Sequence, residues 1–179
     1  MNYLAGAGFA LGAFNQSAMR VSPENFRAAL GRWASGVTVV TARFKQGAHG
    51  MTASSLVSVS LSPALISVCM AKDARTLEWM TASQAFAVNV LSSEQESLSR
   101  HFSSAETDRD RLKDVAFGEL STGSPVLDGA AVVLDCRMHA MHPAGDHVLC
   151  IGEVVQTRVS DKAPLLFYRG EYRRLDPKV

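Results

Sequence analysis

The chain has 179 residues, a length that suits a single domain with one sizeable hydrophobic core. Its 18 basic and 17 acidic side chains leave a net charge of +1, so the basic stripe expected of a nucleic-acid-binding protein is missing. The three cysteines are odd in number, widely spaced and set in apolar runs, which argues against a disulfide framework and a cysteine-rich metal site. We expect buried free thiols and a cytoplasmic protein.

Residues 1–20 are interpreted as an N-terminal extension of unknown role, ahead of one domain over residues 21–179. The opening run MNYLAGAGFALGAF is apolar, but it lacks the basic segment of a signal peptide and is too short to span a bilayer. Gly6, Gly8 and Gly12 do not fit the G-x-G-x-x-G fingerprint, and no strand precedes them. A Rossmann-type nucleotide site and a membrane association are therefore not expected.

The first predicted element is an amphipathic helix that ends before Gly36. Ser22 is placed to cap its N-terminus, and Pro23 suits the first helical position. Apolar side chains recur at helical spacing on one face, namely Phe26, Leu30 and Trp33.

Strand-forming segments rich in β-branched residues follow along the chain. GVTVVTARF leads into the polar turn KQGAHG, whose glycines suit a hairpin. The later segments are LSPALISVCMA, QAFAVNVLS, AAVVLDCRMHA, HVLCIGEVV, LLFY and the closing EYRRL. About seven strands without regular strand–helix alternation predict an antiparallel β-barrel with short helices. Because a small barrel has one interior, strands with two apolar faces also predict a homodimer.

Two further helices are predicted between the strands. Asp73 is expected to start a helix over ARTLEWMTA. Ser93 and Glu96 form a predicted capping box for a helix that runs to Phe102. The charged segment SSAETDRDRLKDV has few apolar residues and is predicted to leave the core as a solvated loop.

Small hydroxyl side chains cluster in MTASSLVSVSLSP, residues 51–63. One interpretation is a serine-rich strand and loop. The other is a cradle for a planar polar ligand, because small residues let backbone amides approach and hydroxyls donate to ligand oxygens. Lys72 and Arg75 follow one strand later at a helix start, where backbone amides and the helix dipole favour a phosphate. Together they indicate a site for a ligand with a phosphate end.

Histidines near the last long strand raise a metal site as a hypothesis. His139 and His142 fall on opposite faces of an extended segment, and Pro143 is expected to break it, so no metal is expected. His147 is different, because it follows the Gly-Asp turn at Asp146 and starts an apolar strand. A structural histidine is one interpretation, and a ligand-binding histidine at a barrel mouth is the other.

The chain resembles the flavin reductase-like family in segments that occur in the family's order. They are WASGVTVVT, GMTASSLVSVSLSPALISVCMAKDARTLEW, FAVNVLS, GDHVLCIGEV and PLLFYRGEYRRL. The resemblance spans nearly the whole domain, from Phe26 to Leu175. It implies an FMN-binding split barrel, which is an antiparallel Greek-key β-barrel. It also implies an NAD(P)H:flavin oxidoreductase that reduces FMN or FAD and supplies reduced flavin to a separate monooxygenase.

The resemblance also implies a set of site residues. Those that would line the isoalloxazine ring and ribityl chain are Thr52, Ala53, Ser54 and Ser55, with Lys72, Arg75 and Thr76 near the phosphate. Those that match an element associated with the nicotinamide dinucleotide are Gly145, Asp146 and His147. Those that match a C-terminal segment approaching the flavin are Tyr168, Arg169 and Tyr172. His147 is expected to bind and orient the nicotinamide at the reacting centre rather than to act as a general acid.

One departure from the family pattern is Leu56, which stands where many relatives carry an aromatic residue. The choice between FMN and FAD and between NADH and NADPH stays open, although a 2′-phosphate could be met by Arg169, Arg173 or Arg174.

Three other functions remain as alternatives. The first is a reductase of the same fold that keeps its flavin and acts on a corrinoid, ferric or aromatic acceptor. The second is a non-catalytic flavin- or haem-binding barrel with His101 or His147 as an axial ligand. The third is a purely structural barrel.

Overall fold

The computed structural model describes residues 21–104 and 111–175, so the predicted extension over residues 1–20 lies outside the described residues. The described helices are α1 (Pro23–Leu30), α2 (Arg75–Ser83) and α3 (Glu96–Ser103). The described strands are β1 (Ser35–Gly36), β2 (Thr38–Phe44), β3 (Gly47–Ala53), β4 (Val57–Leu61), β5 (Ala64–Ala71), β6 (Ala85–Val90), β7 (Phe117–Glu119), β8 (Pro125–Leu127), β9 (Val132–Ala144), β10 (His147–Val159), β11 (Leu166–Tyr168) and β12 (Glu171–Arg173).

Seven strands form one sheet in the order β3-β2-β6-β9-β10-β5-β4, and every pair in it is antiparallel. Its two edges, β3 and β4, follow each other in the chain and are joined only by residues 54–56. This short link holds the two edges near each other, and β3 also contacts β5. The sheet therefore closes into a barrel that is split between β3 and β4. The predicted antiparallel barrel with short helices is confirmed.

Two small sheets complete the described structure. β11 and β12 form a hairpin that pairs with β1, and β7 pairs with β8. The three-stranded sheet carries the C-terminal segment back to the start of the domain. It therefore brings β12 beside α3 and the end of β3.

β2 separates two hydrophobic clusters. Val40 and Ala42 belong to the cluster inside the barrel, which also contains Met70 and Phe86. Val39 belongs to a second cluster on the other face of β2, under α3. Both apolar faces of this strand are thus covered within one chain, without a second subunit.

α1 begins as predicted and ends early. The amide of Asn25 donates to Ser22 Oγ at 3.2 Å, and Pro23 occupies the first turn. The helix ends at Leu30 with Gly31 as its C-cap, well before Gly36. No residue of α1 is buried in the described chain, and the apolar side chains predicted to share one face are all exposed: Phe26, Leu30 and Trp33.

The predicted capping box of α3 is wrong. The N-cap of α3 is Gln95, and neither Ser93 nor Glu96 makes a side-chain cap bond. The Gln95 side chain accepts from the amide of Ser92 at 3.0 Å and donates to the carbonyl of Asp128 at 2.8 Å. A longer amide side chain therefore ties the α3 start to a neighbouring loop.

The β2–β3 hairpin turns at residues 45–46 and not at the glycines of KQGAHG. The glycines lie within β3, where the packing requires them. A Cβ at Gly47 would lie 2.6 Å from the ring of Trp79, and one at Gly50 would lie 3.0 Å from the ring of Phe102. These two positions let a helix side chain rest on the strand backbone.

The predicted solvated loop over residues 103–115 is only partly described, because residues 105–110 lie outside the described residues. Within the described part, Leu112 is buried in the second cluster beside Phe102, and Val115 packs against it. The prediction is therefore wrong at Leu112, which returns the chain to the core.

β9 runs through Pro143, where a break was predicted, and Pro143 pairs with Val148 of β10. A proline is tolerated there because β6 pairs with β9 only up to Arg137, which leaves one side of β9 as a free edge beyond that residue. The long β9–β10 hairpin therefore carries the Gly-Asp-His element to the end of β5.

Candidate functional site

A groove lies at the split of the barrel, where β3 ends. We call it the Thr52 groove, and its volume is about 240 Å³. The residues that line it are Val37, Thr52, Ala53, Ser54, Ser99, Ser103, Phe167 and Tyr172. Four of the predicted flavin-binding residues are brought together here: Thr52, Ala53, Ser54 and Tyr172. Ser99, Ser103 and Phe167 were not predicted.

Tyr172 and Phe167 form the aromatic wall of the Thr52 groove. They lie opposite each other in the β11–β12 register, with ring centroids 5.4 Å apart and an interplanar angle of 67°. The Tyr172 hydroxyl lies 2.9 Å from Ser99 Oγ, and the guanidinium of Arg100 lies 4.7 Å from the ring centroid of Tyr172. Contacts on several sides therefore hold this ring in place.

The opposite wall comes from the end of β3. Thr52 Oγ1 donates to the carbonyl of Ser99 at 2.8 Å, and Thr38 Oγ1 donates to the carbonyl of Ala53 at 2.7 Å. β3 pairs with β2 on one side only, so alternate amides and carbonyls of β3 point away from the sheet. Small side chains here leave that backbone accessible to a ligand.

Ser55 does not line the Thr52 groove, because its side chain is used in a structural contact. Its hydroxyl accepts from the amide of Cys69 at 2.9 Å and donates to the carbonyl of the same residue at 3.3 Å. The side chain thus replaces a backbone partner beside β5. Leu56, the departure from the family pattern, packs against the barrel interior. Its side chain is therefore part of the core.

A second groove continues from the first along the start of α2. We call it the Arg75 groove, and its volume is about 480 Å³. The residues that line it are His49, Met51, Thr52, Ala71, Asp73, Ala74, Arg75, Thr76, Ser103 and Arg111. Thr52 and Ser103 line both grooves, so the two form one continuous surface. Of the predicted phosphate residues, Arg75 and Thr76 line this groove and Lys72 does not.

The N-terminus of α2 faces the Arg75 groove without a side-chain cap. The helix begins at Arg75, one residue later than the predicted segment ARTLEWMTA. Its N-cap is Ala74 and not Asp73, and alanine has no side chain that could accept a hydrogen bond. First-turn amides and the positive end of the helix dipole attract anions in this arrangement. Thr76 is buried, and its Oγ1 lies 2.7 Å from Nδ1 of the buried His49.

His49 and Arg111 were missed by sequence reasoning. His49 stands in KQGAHG, whose glycines predict a turn, so no strand pattern marks it. Arg111 stands in a run of charges that indicated solvent. Its guanidinium donates to the carbonyls of Phe102 at 2.9 Å and Ser104 at 2.7 Å, and it also reaches Gly50 at 3.3 Å. Arg111 thus ties the end of α3 to β3.

The Gly-Asp-His element is the tip of the β9–β10 hairpin. Gly145 has φ 63° and, with Asp146, makes the two-residue connection that suits a glycine-first hairpin turn. His147 Nδ1 lies 2.8 Å from Asp146 Oδ1. This hydrogen bond, together with a backbone hydrogen bond and the charges of His147 and Lys72, lowers the pKa of the Asp146 carboxyl.

This hairpin tip lies against the residues that precede α2. The amide of Lys72 donates to the carbonyl of Asp146 at 3.1 Å, and His147 pairs with Ala71 in the β10–β5 register. Residues directly opposite in an antiparallel pair project to the same face of the sheet. Ala71 lines the Arg75 groove, so the face of the sheet that His147 shares borders the groove, although Gly145, Asp146 and His147 are not among its lining residues.

Tyr168 and Arg169 do not line either groove. Arg169 has φ 54° and Gly170 has φ 80°, and they form the two-residue turn between β11 and β12. The amide of Arg169 donates to the carbonyl of Gly31 at 2.9 Å, and its guanidinium lies 5.7 Å from the ring centroid of Tyr168. In this chain they place the hairpin that carries Tyr172.

Residues 21–104 and 111–175 contain no group of three or more His, Cys, Asp or Glu residues arranged to hold a metal ion. No helix in these same ranges is long and apolar enough to cross a membrane.

The continuous surface of the two grooves fits a flavin nucleotide. The Thr52 groove offers an apolar slot between Ala53 and the rings of Phe167 and Tyr172, with hydroxyls at its edge. The Arg75 groove, which joins the Thr52 groove, offers the guanidinium of Arg75 and the uncapped N-terminus of α2. A planar ring system with a phosphate tail requires this order of apolar, hydroxyl and cationic groups.

Comparisons with known proteins identify relatives of the chain. The family model described as "Flavin reductase like domain" matches residues 30–176. The chain is 40% identical over 159 residues to an "NADH-dependent flavin reductase" of Rhodococcus sp, covering 87% of this chain and 88% of that protein. It is 37% identical over 153 residues to the reductase component of a 4-hydroxyphenylacetate 3-monooxygenase of Thermus thermophilus, covering 85% and 96%.

Among solved structures, the chain is similar to the Streptomyces globisporus C-1027 NADH:FAD oxidoreductase SgcE6 in complex with NAD and FAD fragments. The TM-score is 0.82 at 36% identity, and the match covers 89% of this chain and 98% of that one.

Proposed function

The chain belongs to the flavin reductase-like family, and from this membership we propose that it oxidises NADH, reduces a flavin and supplies the reduced flavin to a separate monooxygenase. The family, the split-barrel fold and the general activity predicted from the sequence are confirmed. The identity of the hydride donor, the binding residues, the oxygenase partner and the oligomeric state belong to the proposal.

One observation carries the proposal, namely the continuity of the Thr52 and Arg75 grooves through Thr52 and Ser103. A structural barrel would not need an apolar slot that leads directly to an uncapped helix N-terminus. The slot takes the flavin ring, and Arg75 with the first turn of α2 takes the phosphate. Thr52 and Ser54 then lie at the level of the ribityl hydroxyls.

In the reaction a hydride passes from C4 of the nicotinamide of NADH to N5 of the flavin, which yields NAD⁺ and the reduced flavin anion. The protein's part is to bind and orient the two substrates. Backbone groups on the free side of β3 and the exposed Ser54 hydroxyl offer donors to the polar edge of the ring. No nucleophile or acid–base pair is required of the chain.

His147 is the proposed contact with the dinucleotide. Its ring is held by Asp146, its strand starts against Ala71, and the adjoining Lys72 adds positive charge beside the hairpin tip. We assign Gly145, Asp146 and His147 to NADH binding, with His147 as the orienting residue. NADH is preferred to NADPH in this proposal because two relatives carry NADH in their names.

A homodimer is the proposed assembly. β4 is a sheet edge whose alternate side chains Val57, Val59 and Leu61 are 57%, 49% and 95% exposed. An exposed apolar edge strand is a site for pairing with a second chain, and a second copy is always available. A dimer predicts a mass of twice that of one chain by light scattering, and Val59→Lys should shift the mass towards the monomer. A monomeric wild-type chain at micromolar concentration would contradict it.

The cytoplasm is the proposed location. The hydride donor is a cytoplasmic metabolite, and the three cysteines are all unpaired thiols in the structure.

The proposed function is tested by asking where the reduced flavin goes. Protein at low concentration is mixed anaerobically with NADH and an excess of flavin, and the mixture is passed through an ultrafiltration membrane. We expect reduced flavin in large excess over protein in the filtrate. Reduced flavin retained at one equivalent per chain would instead favour a reductase with a resident flavin and another acceptor.

A further inference from the structure

Ser99 on α3 contacts both walls of the Thr52 groove. Its carbonyl accepts from Thr52 Oγ1 at 2.8 Å, and its hydroxyl lies 2.9 Å from the hydroxyl of Tyr172. Ser99 is fully buried, so its side chain is not open to a ligand in the groove. Any effect of Ser99 on such a ligand therefore passes through Thr52 or Tyr172.

The Ser99 hydroxyl differs in its partner from other serine hydroxyls on the helices. Serine side chains within helices commonly bond back to a carbonyl three or four residues earlier. Ser83 and Ser103 follow this pattern, at 2.8 Å and 2.9 Å from the carbonyls four and three residues before them. The Ser99 hydroxyl instead contacts Tyr172, which lies 73 residues later in the chain. This contact is therefore tertiary, and it ties β12 to α3.

Tyr172 depends on this contact for the position of its hydroxyl. It lies on β12, a three-residue strand at the edge of the three-stranded sheet that pairs only with β11. Within residues 21–104 and 111–175, Ser99 Oγ is the only hydrogen-bond partner of the Tyr172 hydroxyl. The Tyr172 ring also contacts the Phe167 ring and the guanidinium of Arg100. Those contacts do not fix the phenol oxygen, so the Ser99 hydroxyl determines where that end of the ring lies.

α3 is a firm support for Ser99. Gln95 ties the start of the helix to the carbonyl of Asp128 at 2.8 Å. Near the other end, Phe102 is buried in the second hydrophobic cluster, and its carbonyl accepts from the guanidinium of Arg111 at 2.9 Å. Because the helix is anchored at both ends, the Ser99 hydroxyl has a fixed place relative to the barrel.

We propose that Ser99 is a positioning residue for hydride transfer, whose hydroxyl holds the Tyr172 ring at the angle that sets the plane of the flavin ring in the Thr52 groove. The inference rests on the proposed function, in which the flavin ring lies against Tyr172 and its N5 receives a hydride from C4 of NADH, with NAD⁺ as the other product. Hydride transfer depends steeply on the distance and angle between these two atoms. Flavin binding depends mainly on the apolar area that the aromatic wall covers. Loss of the Ser99 hydroxyl should therefore slow the transfer more than it weakens the binding.

The direct test is the rate constant of flavin reduction in a single turnover of the Ser99→Ala variant. Protein in excess over flavin is mixed anaerobically with saturating NADH, and the loss of the visible absorbance of the oxidised flavin is followed. We expect a rate constant about fivefold to tenfold lower than in the wild type. The Kd of the flavin and the KM for NADH should each stay within about twofold.

The matched control is Ser97→Ala, the same change at an exposed serine of the same helix. It should alter neither the rate constant nor the two binding parameters. An unchanged rate constant in Ser99→Ala, or a rise in its flavin Kd as large as its loss of rate, would overturn the assignment.

A double-mutant cycle with Tyr172→Phe shows whether Ser99 acts through Tyr172. Tyr172→Phe keeps the ring and removes the same hydrogen bond from the other side. If this bond is the route, each single variant and the double variant should slow flavin reduction to the same extent, about fivefold to tenfold. Effects that multiply in the double variant, to roughly 25-fold or more, would show a separate route from Ser99 and overturn the inference.

The circular dichroism of the bound flavin gives a readout that does not need NADH, because this signal reports the orientation of the ring relative to its surroundings. We expect Ser99→Ala and Tyr172→Phe to change the visible spectrum of the bound flavin alike, and Ser97→Ala to leave it as in the wild type. A wild-type spectrum in Ser99→Ala, together with normal turnover of the wild-type enzyme, would overturn this inference alone. Absence of wild-type turnover with any flavin would instead overturn the proposed function.

Discussion

Arg75 and Tyr172 line different parts of one continuous surface. Arg75 belongs to the groove at the start of α2, Tyr172 belongs to the groove at the barrel split, and Thr52 lines both. If a flavin nucleotide lies along this surface, its phosphate and its ring are contacted by different side chains. The two substitutions should therefore have separable effects on FMN and riboflavin, which differ only by the phosphate.

Arg75→Ala should weaken the binding of FMN and leave the binding of riboflavin unchanged. We expect the Kd of FMN to rise about tenfold, which corresponds to roughly 1.4 kcal/mol, because one charge-assisted phosphate contact is lost at an exposed site. The Kd of riboflavin should not change. Flavin fluorescence titrations measure both, and Arg137→Ala, an exposed arginine on β9, serves as the control. Equal weakening of both flavins would remove Arg75 from the phosphate site.

Tyr172→Ala should weaken both flavins alike. The substitution removes one aromatic wall of the Thr52 groove, so the Kd values of FMN and riboflavin should each rise about tenfold. Tyr172→Phe keeps the ring and loses only the contact with Ser99, so it should stay within about threefold of the wild type. The same flavin fluorescence titrations measure both variants. A larger loss of flavin affinity in Tyr172→Phe than in Tyr172→Ala would contradict a stacking role.

His147→Ala should raise the KM for NADH about fivefold and leave the flavin Kd unchanged. The reason is that His147 lies at the hairpin tip beside Lys72 and outside the lining of the Thr52 groove. Steady-state kinetics at saturating flavin give the KM, and His139→Ala, an exposed histidine on β9, is the control. An unchanged KM for NADH together with a raised Kd for the flavin would instead place His147 at the flavin site.

Much of this arrangement could be predicted from the sequence, and the misses have physical reasons. The strand segments, the cationic helix start and the small hydroxyl residues around the end of β3 are visible as local patterns. Ser99 and Phe167 were not, because a serine on a helix and an apolar residue on a short strand acquire their role only when α3 and β11 pack beside β3. Ser55 shows the reverse case, since its hydroxyl is used by the backbone of Cys69.

The turn residues illustrate the same limit. The glycines of KQGAHG indicated a turn, but their real constraint is the contact of Gly47 and Gly50 with the rings of Trp79 and Phe102, which lie far away in sequence. Tyr168 and Arg169 are predicted at the flavin, whereas Tyr168 ends β11 and Arg169, with its positive φ, lies in the turn to β12. Such tertiary contacts leave no periodic signal in the chain.

Gly152→Ala should destabilise the barrel. A Cβ at Gly152 would lie 2.4 Å from Cζ of Phe86 and 3.0 Å from Cβ of Cys136, at an irregularity in the β9–β10 register. Overpacking of this kind costs about 1–3 kcal/mol. Thermal unfolding should show a Tm lower by about 3–10 °C. Gly118→Ala, where the nearest atom would be 3.9 Å away, should leave the Tm unchanged. Equal Tm values for the two variants would contradict the close packing of Gly152 against Phe86.

The thiols should differ in reactivity. Burial raises the pKa of Cys136 to about 12 and that of Cys150 to about 11, whereas Cys69 is half-buried rather than buried as predicted. A raised pKa keeps a thiol protonated and unreactive until the pH approaches that value. A disulfide reagent near pH 8 should therefore titrate at most one thiol in the native protein and three in denaturant. Cys69→Ser should remove the native reaction, and two reactive native thiols would contradict the burial.

The central claim is that this chain transfers a hydride from NADH to a flavin bound along the joined grooves. The most direct measurement is NADH oxidation, followed by the loss of its near-ultraviolet absorbance, with FMN, FAD or riboflavin added in turn to flavin-free protein. The account predicts turnover that depends on added flavin and is faster with NADH than with NADPH. No turnover with any flavin and either nucleotide would contradict it.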